Sequence, residues 1–112
     1  MKTVNAIRLS GVLVLMASVV NATPDDTPRT KIKIVEVGWS DPNIRLFVEG
    51  NVYNPDGCSN PNSYIIDASL PSRDAMLSLA LTAYSLNQDV NFIVDGCSFG
   101  SPRIITMRIR KD

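Results

Sequence analysis

Most apolar stretches after Thr30 alternate with a period of two, and the one stretch that does not constrains the fold more than anything else in the chain. Between Ser72 and Asn87 the spacing becomes helical: Met76, Leu79, Ala80 and Ala83 form one row, and Leu77, Leu81 and Tyr84 a second row beside it. Ser72 is placed to cap the start, and Asp74 falls in the first turn, where the helix dipole favours negative charge. Asn87 can stop the helix in the left-handed conformation.

Strand patterns flank this helix on both sides. Lys31 to Val37 alternates at Ile32 and Ile34, then shifts phase to Val35 and Val37, which predicts a strand with a bulge near Val35. After a turn over Gly38 to Asn43, a long strand is expected from Ile44 to Tyr53, with Ile44, Leu46, Val48, Gly50 and Val52 on one face. Asn54 to Ser63 reads as a loop, and Tyr64 to Ala68 as a short third strand. Beyond the helix, Val90, Phe92 and Val94 mark a fourth strand, Gly96 to Pro102 a loop, and Ile105, Met107 and Ile109 a fifth strand with Thr106, Arg108 and Arg110 outward. The result is a mainly β chain with one helix, in the order β-β-β-α-β-β. That is the order of the OB-fold, a five-stranded, partly open barrel, here expected over residues 31–112 with the helix plugging its bottom. The bulge in strand one and Gly50 in strand two supply the bends a small barrel needs. The rival arrangement is an open antiparallel sheet with one helix packed on a face.

The first 22 residues are a different material. Lys2 and Arg8 give a basic start, Gly11 to Val20 (GVLVLMASVV) is an apolar run of ten, and Val20-Asn21-Ala22 ends in the compact residues a signal peptidase reads. A membrane span needs about 20 apolar residues, so residues 1–22 are expected to be a secretory signal cleaved after Ala22 rather than an anchor. Its removal leaves nine basic against eleven acidic residues, a charge of −2. Residues 23–30, with two prolines, read as a polar linker. The expected location is therefore secreted or periplasmic, and that oxidising setting changes the meaning of the two cysteines. Cys58 and Cys97 each close an Asp-Gly-Cys turn and are expected to form a disulfide, which the chain-entropy model values at roughly 4 kcal/mol for a loop of about forty residues.

Composition removes several classes of function. The sequence has no histidine, which takes away the commonest general base and zinc ligand, and two cysteines are too few for a structural zinc site. No carboxylate pair has a spacing that marks it as catalytic. With 11 Lys plus Arg against 11 Asp plus Glu, no bulk positive field exists to hold nucleic acid. The reading is of a protein that is not an enzyme and takes no cofactor, metal or nucleic acid.

The stretch Arg73 to Arg110, RDAMLSLALTAYSLNQDVNFIVDGCSFGSPRIITMRIR, resembles the helix and last two strands of the OB-fold B-subunits of bacterial one-A-five-B toxins, especially the subtilase cytotoxin and pertussis toxin type. Lys31 to Val52 is compatible with the first two strands of those subunits. The resemblance implies export, glycan recognition, assembly into a pentamer-like homo-oligomeric ring and a secreted A-type partner subunit. The cysteines depart from the family pattern: the toxin subunits usually bridge strands two and three, whereas Cys58 lies in the intervening loop and Cys97 after strand four.

Two exposed-loop aromatics fit that expectation. Trp39, the only tryptophan, lies between strands one and two, and Phe99 and Arg103 flank the loop between strands four and five. OB-folds bind oligosaccharides and oligonucleotides through these two loops, so Trp39, Phe99 and Arg103 are the candidate ligand residues, expected to converge on the barrel mouth. The competing reading makes Trp39 a lid over the barrel end and Phe99 a core residue. Arg45, Arg108 and Arg110 read as solvated surface, diluted by Glu36, Glu49 and Asp95. Leu77, Leu81 and Tyr84 exceed what one helix face needs and are the candidate oligomer contacts. The alternative function is a protein-binding inhibitor or accessory subunit that uses this helix stripe.

Overall fold

The computed structural model describes residues 24–111. The expected signal segment, residues 1–22, lies outside them. The chain forms β1 (Asp25–Asp26), β2 (Ile32–Gly38), β3 (Asp41–Val48), β4 (Tyr64–Ile66), α1 (Arg73–Ser85), β5 (Asp89–Ser98) and β6 (Ser101–Arg110). The sheet therefore has six strands rather than the expected five, in the order β1-β5-β6-β4-β3-β2. All neighbours are antiparallel except β4 and β6, which run parallel through Ile65 and Arg103. A parallel pair needs a crossover, and α1 with β5 supplies it.

The expected linker over residues 23–30 is corrected over its described part. Asp25 and Asp26 pair with Val94 and Ile93, the Thr27 N–H donates to Phe92 O at 2.8 Å, and Thr30 and Val90 exchange both backbone hydrogen bonds at 3.0 and 2.8 Å. Thr27 is buried, and its hydroxyl accepts from the Phe92 N–H at 2.9 Å. One continuous segment thus bonds to β5 with its first half and, as β2, to β3 with its second half. The first and last strands of the order are consecutive in the chain.

The bulge in β2 lies at Lys33 rather than near Val35. Ile32 pairs with Val48 and Ile34 with Phe47, so Lys33 is the extra residue. This phase turns Ile32 and Val35 toward the core and leaves Ile34 and Val37 exposed. β3 starts earlier than expected because Gly38 pairs with Asp41 across a two-residue turn, Trp39-Ser40. It also ends earlier, at Val48, so Gly50 lies beyond the strand. The expected loop over Gly96 to Pro102 is instead the tip of a long hairpin. Val94 pairs with Ile104 and Cys97 with Pro102, which places a bulge at Asp95-Gly96, where Gly96 has φ +74°. Phe99 and Gly100 then make a two-residue turn with φ +50° and +81°, the double left-handed combination of a type I′ hairpin. On β6 a second irregularity sets Ile105 off the core and brings in Ile104, which is fully buried beside Met107.

The helix follows its expected bounds. Ser72 makes no side-chain cap, although its carbonyl accepts from Met76 N. At the other end Asn87 has φ +51°, with Gln88 N donating to Ala83 O at 2.9 Å and Asn87 N to Tyr84 O at 3.3 Å, the paired bonds of a Schellman stop. Met76, Ala80 and Ala83 face inward, and α1 packs against β2 and β6. The core joins these residues to Ile44, Leu46, Tyr64, Val90, Phe92 and Ile104. At its centre the Tyr64 and Phe92 rings lie 4.9 Å apart, tilted by 57°. The Tyr64 hydroxyl is not stranded, because it accepts from Tyr53 N at 2.7 Å.

Candidate binding cleft

The β2–β3 and β5–β6 turns border one cleft of about 350 Å³, lined by residues from three parts of the chain. The first hairpin contributes Glu36, Trp39, Ser40, Asp41, Arg45 and Phe47. The segment leading into β4 contributes Asn60, Asn62 and Ser63, and the second hairpin Phe99 and Ser101.

Both candidate aromatics are there, and neither is core. Trp39 is 75% exposed and Phe99 is 67% exposed. Each stands on left-handed backbone, φ +44° and +50°, a conformation that costs bulky residues on the order of 1–3 kcal/mol. Nothing buried compensates either residue. The Trp39 indole is oriented by its own hydrogen bond, Nε1–H to the Glu36 carboxylate three residues back.

Arg103 does not join them. Its Nε donates to Asp95 O at 3.0 Å, which ties it to the β5 bulge and away from the cleft. The cationic position is taken by Arg45, which sequence reasoning had assigned to solvated surface. Its Nη2 donates to Asp41 at 3.2 Å, and this bond, with the Asn43 N–H, holds the Asp41 carboxyl below its ordinary value. Among the described residues, Arg45 Nη1 is the buried side-chain nitrogen that lacks a hydrogen-bond partner. The signal that could have found it is the Asp41/Arg45 spacing: in an irregular strand start, as here, residues four apart still meet. Asn60, Asn62 and Ser63 were also missed, because a polar loop looks the same in sequence whether or not it lines a cleft.

Comparison with protein-family models, with curated proteins and with solved structures finds no match to this chain. The site therefore has to be read from its own chemistry. It offers three aromatic side chains, of which Trp39 and Phe99 are exposed and Phe47 is half-buried, with a guanidinium, two carboxylates, two amides and three hydroxyls. The two carboxylates against one guanidinium give it no excess positive charge to hold a polyanion.

The disulfide is present. Cys58 and Cys97 are bridged with Cα atoms 5.7 Å apart. Among the described residues, no helix is long and apolar enough to cross a membrane. On α1, Leu77 is half-buried against the core, while Leu81 and Tyr84 are 47% and 51% exposed. On the opposite flank of α1, Ala75 and Leu79 border a second, mainly apolar groove of about 360 Å³ with Ile105 and Met107.

Three carboxylates give the fold an acid limit. Asp41 is held low by Arg45, Asp67 by the Ser69 N–H and the Ser98 hydroxyl, and Asp89 by the Lys31 ammonium at 2.8 Å. Each prefers its charged form more strongly in the folded chain, so the unfolded chain binds protons first as pH drops. Stability is therefore full above the ordinary value of 3.8 and declines as pH falls through it toward the lower folded values. Asp67→Asn is expected to be less stable than the parent at neutral pH, with the gap closing in strong acid. Denaturant melts across the acid range check this, and a gap that persists in acid would show that Asp67 acts other than through its charge.

Proposed function

We propose that this chain is a secreted or periplasmic, non-catalytic module that binds glycans. The observation that carries the reading is the pair Trp39 and Phe99, two exposed aromatics on left-handed backbone that border one polar cleft. A fold keeps such strain where it serves something other than stability. A sugar ring presents C–H faces for stacking and a rim of hydroxyls that both donate and accept. The cleft matches this with aromatic faces and with alternating donors and acceptors on Asp41, Arg45, Asn60 and Asn62.

The parallel β4–β6 pair and the two backbone hydrogen bonds between Thr30 and Val90 support a partly open OB-fold barrel with β1 as an added strand, in the manner of toxin B-subunits. The test is a printed glycan array probed with the oxidised chain. Salt-insensitive retention of a defined set of glycans is expected, whereas no retention, or retention that collapses as salt rises, would overturn the reading.

Exposed Leu81 and Tyr84 on one flank of α1, and the apolar groove on its other flank, favour assembly of copies into a closed ring through a heterologous contact. Light scattering is expected to give a multiple of the single-chain mass, and Leu81→Glu to return the single-chain mass with unchanged circular dichroism. A single-chain mass for the parent at micromolar concentration would end the ring and leave this flank to a different protein partner.

A further inference from the structure

We infer that the Cys58–Cys97 bridge is a positioning element for the cleft, so that cleaving it releases one cleft wall while the sheet and core stay folded. The inference rests on the proposed binding role of that cleft. Its starting point is where the bridge sits. Cys58 is two positions before Asn60, and Cys97 two positions before Phe99, so the covalent link joins the amide wall to the hairpin that presents an aromatic. Neither cysteine belongs to the main hydrophobic cluster around Phe92 and Tyr64.

The other attachments of this wall lead to the same hairpin. Gly96 N donates to Asp56 at 2.8 Å, Asn60 N donates to Gly100 O at 2.7 Å, and the Ser101 hydroxyl donates to Asn60 O at 3.0 Å. The approach is close: a Cβ at Gly100, φ +81°, would meet Ser59 Oγ at 3.1 Å and Asn60 Cβ at 3.2 Å. The segment from Asp56 to Asn62 contains no strand, so without the bridge these three hydrogen bonds are its ties to the hairpin, and three more are local ones to Asn54: Gly57 N to its carbonyl at 3.3 Å, Cys58 N to its Oδ1 at 2.8 Å, and its Nδ2 to Cys58 O at 3.0 Å. The backbone freedom regained by seven residues outweighs the net return of the three ties to the hairpin together with the three local bonds. The wall then spends most of its time away from Phe99, and apparent affinity falls to the intrinsic affinity multiplied by the fraction of time it is in place.

The covalent step balances with an external dithiol. Two successive thiol–disulfide exchanges transfer two electrons and two protons to the bridge, leaving Cys58 and Cys97 as thiols and the reagent as its own disulfide. Cys97 is the exposed end of the bridge and Cys58 the buried one.

The experiment compares the whole chain oxidised, reduced with dithiothreitol at low temperature, and reoxidised. Amide hydrogen exchange is read at Asn60, which bonds across to Gly100, and at Val90, which bonds to Thr30. Binding is read on a printed array of complex-type N-glycans. On reduction, Asn60 protection is expected to fall at least about tenfold further than Val90 protection, retained glycan affinity to drop at least about tenfold, and reoxidation to restore both. Equal loss at Asn60 and Val90 would make the bridge a general staple and overturn the inference, and so would an Asn60 amide that stays protected. If the oxidised chain retains no glycan, the glycan reading fails separately, and the clamp stands or falls by the two amides.

Discussion

Trp39→Ala is expected to lose at least about thirtyfold in glycan affinity, the loss of about 2 kcal/mol typical of an aromatic hot spot, and to melt within a few degrees of the parent. The two halves of this result have separate causes. Affinity falls because the indole supplies the larger of the two stacking faces and Glu36 holds it in orientation. Stability holds because the side chain is 75% exposed and stands on backbone that alanine adopts with similar strain. Phe99→Ala should follow the same pattern with a smaller loss, since its ring is the smaller of the two and has no hydrogen bond to fix it. A large drop in melting temperature for Trp39→Ala would make the indole a lid, and unchanged binding would move the site elsewhere.

Phe92→Ala is the counterpart on the same hairpin. Phe92 has no exposed surface and packs on Tyr64 at the centre of the core. Its truncation is expected to cost about 3–5 kcal/mol, from lost burial plus a cavity that a sheet cannot collapse around. For a domain of this size that lowers the melting temperature by on the order of 15–30 °C. Thermal melts of Phe92→Ala and Phe99→Ala side by side check it. Similar melting temperatures would mean that the core does not centre on β5.

The helix was legible because its signals are local: a change of period, an acidic first turn and an asparagine whose φ of +51° ends it. Val90, Phe92 and Val94 were legible for the same reason, since strict alternation survives wherever no bulge intervenes. The misread places have two causes, bulges and pairing between distant residues. A bulge at Lys33 reversed the faces expected of Ile34, and one at Asp95-Gly96 carried β5 onward through a stretch whose glycines and proline spell a loop. Thr27 and Thr30 looked like linker because their partners, Phe92 and Val90, lie about sixty residues away, and pairing at that distance leaves no local pattern. At the site, turn chemistry was enough to place Trp39 and Phe99 at hairpin tips. Choosing between Arg45 and Arg103 required knowing which strand faces the cleft and which arginine is spent on a bulge carbonyl.

The pair of hydrogen bonds between Thr30 and Val90 also sets a timetable. A ribosome releases Asp25 to Thr30 well before it has made β5, so these residues have no ladder to join until nearly the whole domain has emerged. Closing a loop of that length is unfavourable until β5 has already paired with β6. The first-made segment is thus expected to dock late, and the pace of folding to follow the slow pairing of distant strands rather than the fast formation of α1.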